Sequence, residues 1–138
     1  MRRFLQVSSR NHYGLRLMTQ LAGVSGQQLS LKTIAEREHI SLGYLEELAR
    51  ALRKHRLIVS ARGAHGGYRL AKSAADITVA EVISAISGPL QIISCTTGNQ
   101  TSFCPLQSRC PSRLVWQRLN EEINKTLASQ TLADLKSN

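Results

Sequence analysis

The pattern of apolar positions in the first half of the chain predicts three short helices. Apolar residues recur at helical spacing over residues 11–24, 29–39 and 44–54. Ser30 is placed to cap the second helix, and residues 40–43 break the pattern before the third. Two short helices joined by about four residues are typical of a helix-turn-helix unit.

A β-hairpin is predicted directly after these helices. Residues 57–61 are short and β-prone, residues 62–67 are rich in glycine, and residues 68–70 can form the returning strand. The hairpin is either an ordinary surface turn or the wing of a winged helix. Its position after the helix pair favours the wing.

The second half predicts one short helix, a polar loop and a long final helix. Residues 78–87 have helical periodicity, and Thr78 with Glu81 matches a capping box. A polar loop precedes a helix over 111–127, and residues 131–135 can form one further turn.

The predicted fold class is mainly α with a small β-hairpin wing. We expect a winged helix-turn-helix domain over 1–90, a cysteine-containing cluster-binding loop over 91–112, and a dimerisation helix and tail over 111–138. The final helix carries an apolar stripe that must be buried against another surface; its members are Trp116, Leu119, Ile123 and Leu127. That surface is either the first helix of the same chain or the same helix of a second copy, and we favour the second copy, a homodimer.

The net charge of +9 is confined to the first half of the chain. Residues 1–72 contain 13 Lys and Arg against 4 Asp and Glu, whereas residues 73–138 contain 5 against 5. This asymmetry is typical of a polyanion-binding half, although charge alone does not separate DNA from RNA or an anionic membrane. The 4% aromatic content argues against a stacking surface for single strands.

The chain contains no apolar run of ~18 residues, so we expect no membrane span. Residues 1–8 are charged and lack the apolar segment of a secretory signal, which favours a cytoplasmic location. In that compartment grouped cysteines more often bind metal or perform redox chemistry than form a disulfide framework.

Three cysteines lie within 16 residues in the pattern C-x8-C-x5-C, at Cys95, Cys104 and Cys110. Thiolates favour zinc or an iron–sulfur cluster, and the spacing is long for a zinc knuckle. Bare redox thiols are a third interpretation. A cluster needs a fourth ligand, which the residues alone leave open between a histidine, a carboxylate and a less usual group. The histidines of the chain are His12, His39, His55 and His65.

Several segments together resemble the IscR, NsrR and CymR group of bacterial repressors. They are residues 12–16, 40–46, 52–54, 62–68, 78–83 and 131–135, and the similarity covers nearly the whole chain. The resemblance implies a homodimer of winged heads with crossed C-terminal helices. It also implies a cluster, [2Fe–2S] or [4Fe–4S], between the cysteine loop and the partner's first helix, whose state sets operator affinity.

The resemblance also bears on the fourth ligand. IscR-like members place a ligand histidine three residues after the third cysteine, but that position here is Arg113. Some NsrR-like members take the ligand from the first helix of the other subunit, and the matching position is His12. CymR-like members lack the cysteines, so a role in cysteine metabolism fits less well.

We expect double-stranded operator DNA to be bound by α-helical and wing residues. Phosphate contacts are assigned to basic residues that include Arg50, Arg53 and Lys54, with Arg56, Arg69 and Lys72 beside them. Base contacts are assigned to the start of the third helix, at Ser41, Tyr44, Glu46 and Glu47. In the wing the assigned residues are Arg62, His65 and Gly66, with Arg62 entering the minor groove.

Glu46 and Glu47 have a second interpretation, and so does the function of the chain. The resemblance implies that the residue at Glu46 helps to choose between operator classes, but both glutamates can instead form helix pairs, for example with Arg50. A metal-independent thiol sensor on the same DNA-binding frame is the rival function. An enzyme is disfavoured because no catalytic triad, phosphate-binding loop or spaced carboxylate pair occurs, and we infer no small-molecule substrate.

Overall fold

A computed structural model describes residues 6–63, 66–93 and 104–136. Over these ranges the elements are α1 (Ser9–Gly23), α2 (Leu31–Glu38), α3 (Leu42–Lys54), β1 (Ile58–Ala61), β2 (Gly67–Leu70), α4 (Val79–Ser87), α5 (Arg113–Ser129) and α6 (Leu132–Lys136). A 3₁₀ turn at Ala74–Asp76, which was not predicted, lies between β2 and α4. The mainly helical class with one hairpin is confirmed.

Local capping fixes where several helices begin. In four of them a hydroxyl accepts a hydrogen bond from the backbone N–H three residues later, and these residues are Ser8, Ser30, Ser41 and Thr78. The predicted cap at Ser30 and the capping box between Thr78 and Glu81 are therefore confirmed. Each such cap contributes about 1 kcal/mol to stability.

The hairpin is antiparallel, with Ile58 opposite Leu70 and Ala61 opposite Gly67. Leu29 adds an isolated bridge to Tyr68 on the other side of β2. Its N–H donates to the Tyr68 carbonyl and its carbonyl accepts from the Tyr68 N–H, both at 2.9 Å. The wing is therefore tied to the chain that enters α2, immediately before the helix-turn-helix.

The core lies where the first four helices meet the hairpin. The side chains with no solvent exposure include Leu17, Met18, Ile34, Leu45, Leu48, Leu52, Ile58 and Val82. The predicted apolar stripe of α3 is thus fully buried, which leaves the opposite face of that helix to solvent. Burying each of these side chains contributes about 1.5–3 kcal/mol.

The C-terminal turn packs into the head. Leu132 on α6 has no solvent exposure, and its N–H donates to the Ile77 carbonyl at 2.9 Å. A second bond at 2.9 Å joins the Val79 N–H to the Gln130 carbonyl. Residues that we grouped with the dimerisation tail from the sequence therefore contribute to the core of the winged head, where α6 contacts α1.

The long helix α5 contains no buried residue. It lies against α4, with Trp116, Ile123 and Leu127 half-buried. Leu114 and Val115 are 72% and 62% exposed, which leaves an apolar face without cover. Within the described ranges, no helix is long and apolar enough to cross a bilayer.

Candidate nucleic-acid interface and cysteine segment

The start of α3 presents polar side chains to solvent. Ser41, the N-cap, is exposed, and its Oγ accepts a hydrogen bond from the Tyr44 N–H at 3.3 Å. Tyr44 is half-buried because its ring meets the Tyr13 ring edge-on, with centroids 6.0 Å apart. The α1 helix therefore holds one of the predicted base-reading side chains in place.

The two glutamates of α3 have different surroundings. The Glu47 carboxylate pairs with the Arg10 guanidinium at 2.7 Å, so it is directed toward α1. Glu46 is exposed and forms no ion pair with any described residue, and Arg50 is one of those residues. The alternative of a helix pair with Arg50 is not formed, and the Glu46 carboxylate remains available as an acceptor.

A groove of about 500 Å³ separates α3 from the hairpin. Its α3 wall carries Glu46, Arg50 and Arg53, and its hairpin wall includes Ser60 and Tyr68, together with Gly66 and Gly67. Two guanidinium groups and one carboxylate therefore face the same space. Guanidinium groups bind phosphates or guanine edges in bidentate geometry, and a carboxylate accepts from cytosine.

The hairpin and the end of α3 carry further exposed cations. Arg53, Lys54 and Arg62 are exposed and enter no ion pair within the described residues. The Gly66 N–H donates to the Gly63 carbonyl at 3.0 Å, which closes the turn that follows Arg62. His65, the remaining wing prediction, lies outside the described residues.

Two of the three cysteines lie on a short turn before α5. Neither Cys104 nor Cys110 is in a disulfide, and both are half-exposed. The Cys104 carbonyl accepts from the Gln107 N–H at 3.0 Å, and the Cys110 carbonyl accepts from the Arg113 N–H at 3.3 Å. Cys95 lies outside the described residues.

Hydrogen bonding around Cys110 favours its ionised form. The Ser112 hydroxyl, 3.4 Å from Sγ, lowers the pKa of the Cys110 thiol most, and the Ser112 backbone N–H adds to this effect. The backbone and charge of Arg113 lower this pKa further. The thiolate is both the nucleophilic and the metal-binding form of cysteine.

Arg113 occupies the position at which the resemblance places a ligand histidine in IscR-like proteins. Its Nη1 donates to the Gln107 carbonyl at 2.9 Å, and its Nε is buried without a hydrogen-bond partner. A groove of about 430 Å³ beside this guanidinium is lined by Cys104 and by neighbouring residues of the turn. Arg113 thus braces the turn that carries the cysteines.

Side-chain amides attach the chain before the cysteine loop to α5. The Asn120 Oδ1 accepts from the Ile92 N–H at 3.2 Å, and the Asn124 amide donates to the Leu90 carbonyl at 3.3 Å. On the other side, the Ser87 hydroxyl donates to the buried Asn11 side chain at 2.7 Å. The entry to the loop is therefore fixed to both α1 and α5.

His12 lies in the first turn of α1 with an exposed side chain. Its ring centroid is 5.3 Å from that of Tyr13, which in turn contacts Tyr44. Among the described residues of one chain, no group of three His, Cys, Asp or Glu side chains could hold a metal ion. Within the described part of a single chain, Cys104 and Cys110 lie at the two ends of one turn.

Sequence reasoning missed several residues that position this region. Arg10 and Tyr13 reach α3 from a distant part of the chain, and no local signal indicates those contacts. Asn120 and Asn124 are spaced one helical turn apart within an apolar stripe, which is a detectable signal. Ser112 directly precedes α5 but makes no capping hydrogen bond through its side chain, so capping rules do not indicate its contact with Cys110.

Comparison with known proteins identifies the family. A family model described as an iron-dependent transcriptional regulator, Rrf2, matches residues 7–138. The protein rrf2 of Nitratidesulfovibrio vulgaris is 38% identical over 95% of this chain and 87% of its own length.

Two solved structures are similar over most of both chains. CymR of B. subtilis, the global cysteine regulator of that organism, superposes with a TM-score of 0.81 at 35% identity, covering 96% of this chain and 97% of that one. IscR of T. potens gives a TM-score of 0.74 at 38% identity, and the match covers 96% of this chain and 87% of the IscR chain. The matching family consists of regulators, which confirms that the chain is not an enzyme. The chain belongs to the Rrf2 family of transcriptional regulators.

Proposed function

We propose that this regulator is a homodimeric repressor whose affinity for operator DNA is set by an iron–sulfur cluster bound through Cys95, Cys104 and Cys110. The observation that carries the proposal is the turn before α5, where Cys104 and Cys110 are free of disulfides, half-exposed and close in sequence. The lowered pKa of the Cys110 thiol favours the ligand form of that side chain. A regulator of transcription must reach chromosomal DNA, so the proposal includes a cytoplasmic location.

The donor set fits a cluster by its chemistry. Thiolates are soft ligands that suit iron–sulfur clusters, and the family model's description as iron-dependent supports this choice of metal. When bound, a cluster supplies a redox-active centre that reacts with oxidants or nitric oxide. The chain's own contribution is to hold the Cys104–Cys110 turn through Arg113 and the loop entry through Asn120.

We assign the fourth ligand to His12 of the second protomer. Arg113 cannot take this role because a guanidinium stays protonated and offers no lone pair to a metal. His12 is exposed on α1 and can therefore face another chain.

The second protomer would pack on the open face of α5. Leu114 and Val115 are mostly exposed there, and Leu119 is 37% exposed. Three large apolar side chains on one helix favour burial against another copy. We therefore assign the dimer contact to this face, and we expect Val115→Glu to yield monomers in sedimentation experiments while Lys125→Glu stays dimeric.

Two contacts join the first turn of α1 to the DNA-reading helix. The Tyr13 ring meets Tyr44 edge-on, and Arg10 pairs with Glu47 at 2.7 Å. A ligand that restrains His12 would therefore restrain the start of α3 through these contacts. The two half-sites of an operator have a fixed spacing, so in a bound dimer a small shift of each winged head changes the affinity for DNA.

The experiment combines cluster analysis with DNA titration. Protein purified anaerobically is assayed for iron, sulfide and visible absorption, and its affinity for operator DNA is compared before and after cluster removal. We expect Cys110→Ala to lose the cluster and His12→Ala to lose or destabilise it, while His55→Ala, also an exposed histidine, keeps it.

Two results would contradict separate parts of the proposal. Equal DNA affinity of the cluster-loaded and cluster-free protein would remove the cluster as the switch. A full, stable cluster in His12→Ala would remove the ligand assignment and leave the cysteine assignment intact. If protein made anaerobically contains no iron or sulfide, the thiol-based alternative takes its place.

That alternative is a metal-independent thiol sensor of redox state or cysteine metabolism. It is favoured by the similarity to CymR, the cysteine regulator of B. subtilis, and by the lowered pKa of Cys110, which would make this thiol reactive. A mild oxidant should then change the DNA affinity of iron-free protein. Cys110→Ser should abolish the change, and an unchanged affinity in the wild-type protein would rule the alternative out.

A further inference from the structure

We propose that a second groove, at the base of the wing, binds a phosphate-type anion. The groove has a volume of about 500 Å³ and is enclosed by the end of α1, residues 69–74 and the last turn of α6. It shares no lining residue with the groove between α3 and the hairpin. Neither Cys104 nor Cys110 lines this groove, so an anion bound there does not depend on these two thiols.

The groove has a surplus of positive charge. Arg69, Lys72 and Lys136 line it, and no acidic residue is among the lining side chains. Lys72 is partly neutralised because it pairs with Glu81 at 3.1 Å. Arg69 and Lys136 have no acidic partner among the described residues, so two cations in this groove lack a counter-charge.

Hydroxyl groups complete the donor set. The Lys136 ammonium donates to the Ser25 hydroxyl at 3.1 Å, which brings the end of α6 against the end of α1. Ser25 has a φ of 48° and is followed by Gly26 at 81°, so the chain reverses there in a conformation that is unusual for serine. Ser73 also lines the groove. Guanidinium, ammonium and hydroxyl donors around one space match the oxygen atoms of a phosphate.

The groove lies at the base of β2, the strand that carries the wing. Arg69 belongs to β2, and two residues earlier Gly67 lines the groove between α3 and the hairpin. A bound phosphate could belong to a phosphorylated small molecule or to the backbone of DNA that extends past the wing. The chemistry of recognition is the same in both cases, and the experiment separates the two sources.

The first arm uses inorganic phosphate on the full-length protein. Thermal unfolding is followed as phosphate replaces chloride at constant ionic strength. We expect the wild-type melting temperature to rise with phosphate, because a ligand of the native state stabilises it. Lys136→Gln should require about tenfold more phosphate for the same rise, as expected for loss of one charged hydrogen bond. Lys125→Gln, on α5 away from the groove, should behave as wild type.

The second arm measures DNA affinity as a function of salt for the same proteins. A DNA phosphate in the groove predicts that Lys136→Gln weakens binding and lowers the magnitude of the log–log salt slope by about one, with Lys125→Gln unchanged. Arg69→Gln is the second variant. It should weaken phosphate binding in the first arm, DNA binding in the second arm, or both, in the same way as Lys136→Gln. The proposal is overturned if the correctly folded variants differ from wild type in neither arm.

Discussion

The contact between the wing and the entry of α2 can be tested by adding a single methyl group. A Cβ on Gly67 would lie 2.6 Å from the Leu29 carbonyl carbon and 2.9 Å from the Ser30 nitrogen, and closer still to the Leu29 oxygen. All three atoms are backbone, so no side-chain rotation relieves the overlap. The two hydrogen bonds between Leu29 and Tyr68, both 2.9 Å long, hold these segments together.

The expected cost of Gly67→Ala follows from this geometry. Restoring an ordinary contact of 3.4 Å with the Leu29 carbon requires a separation of about 0.8 Å, which stretches both hydrogen bonds past the 3.5 Å limit. Losing two bonds of ~0.5–1.5 kcal/mol each predicts a destabilisation of about 1–3 kcal/mol. The wing would also shift relative to α3, so the affinity for DNA should fall.

Gly66→Ala is the matched control. A Cβ there would lie 3.4 Å from the Gly63 oxygen and 3.6 Å from the Ala61 oxygen, which are ordinary contacts. Urea unfolding followed by circular dichroism measures the free energy of unfolding of both variants. The two variants are compared by their free energy of unfolding and not by their DNA affinity, because Gly66 is itself assigned to the DNA interface. If Gly67→Ala is as stable as Gly66→Ala, the inferred attachment of the wing to α2 is wrong.

Three further predictions concern the cysteine turn and the head. Ser112→Ala removes the main hydrogen bond that lowers the pKa of Cys110, so the pH profile of Cys110 alkylation should move to higher pH, measured by mass spectrometry; an unmoved profile would remove Ser112 as the cause. The fold lowers the pKa of Glu81 below 4.5, chiefly through the hydrogen bond from the backbone N–H of Thr78, the N-cap of α4. The ionised carboxylate therefore stabilises the head above pH 4.5, and this stabilisation is lost as the pH falls through the lowered pKa. Glu81→Gln should therefore destabilise the protein at neutral pH and match wild type in strong acid, and urea titrations that show a constant difference at every pH would contradict this. Asn124→Ala should speed proteolysis before the cysteine loop, because it frees the Leu90 carbonyl, whereas Lys125→Ala should not.

The sequence alone determined the local elements of this protein. Caps such as Ser30 and Thr78 act on N–H groups three residues away, so short-range rules identify them. The apolar stripe of α3 predicted its buried face for the same reason, since helical periodicity is a local property. One helix end differs from the prediction: α3 begins at Leu42, two residues before the predicted start, because the Ser41 cap lies inside the segment assigned to the turn.

The tertiary structure decided which distant segments meet. Arg10 reaches Glu47 across 37 positions, Lys136 reaches Ser25 across 111, and Leu132, after the end of α5, is buried in the core. No periodicity encodes such contacts, because they depend on how the helices pack around a shared core. The charge asymmetry and the three cysteines predicted the kinds of partner, whereas packing determined that the first turn of α1 contacts the helix that is expected to read DNA.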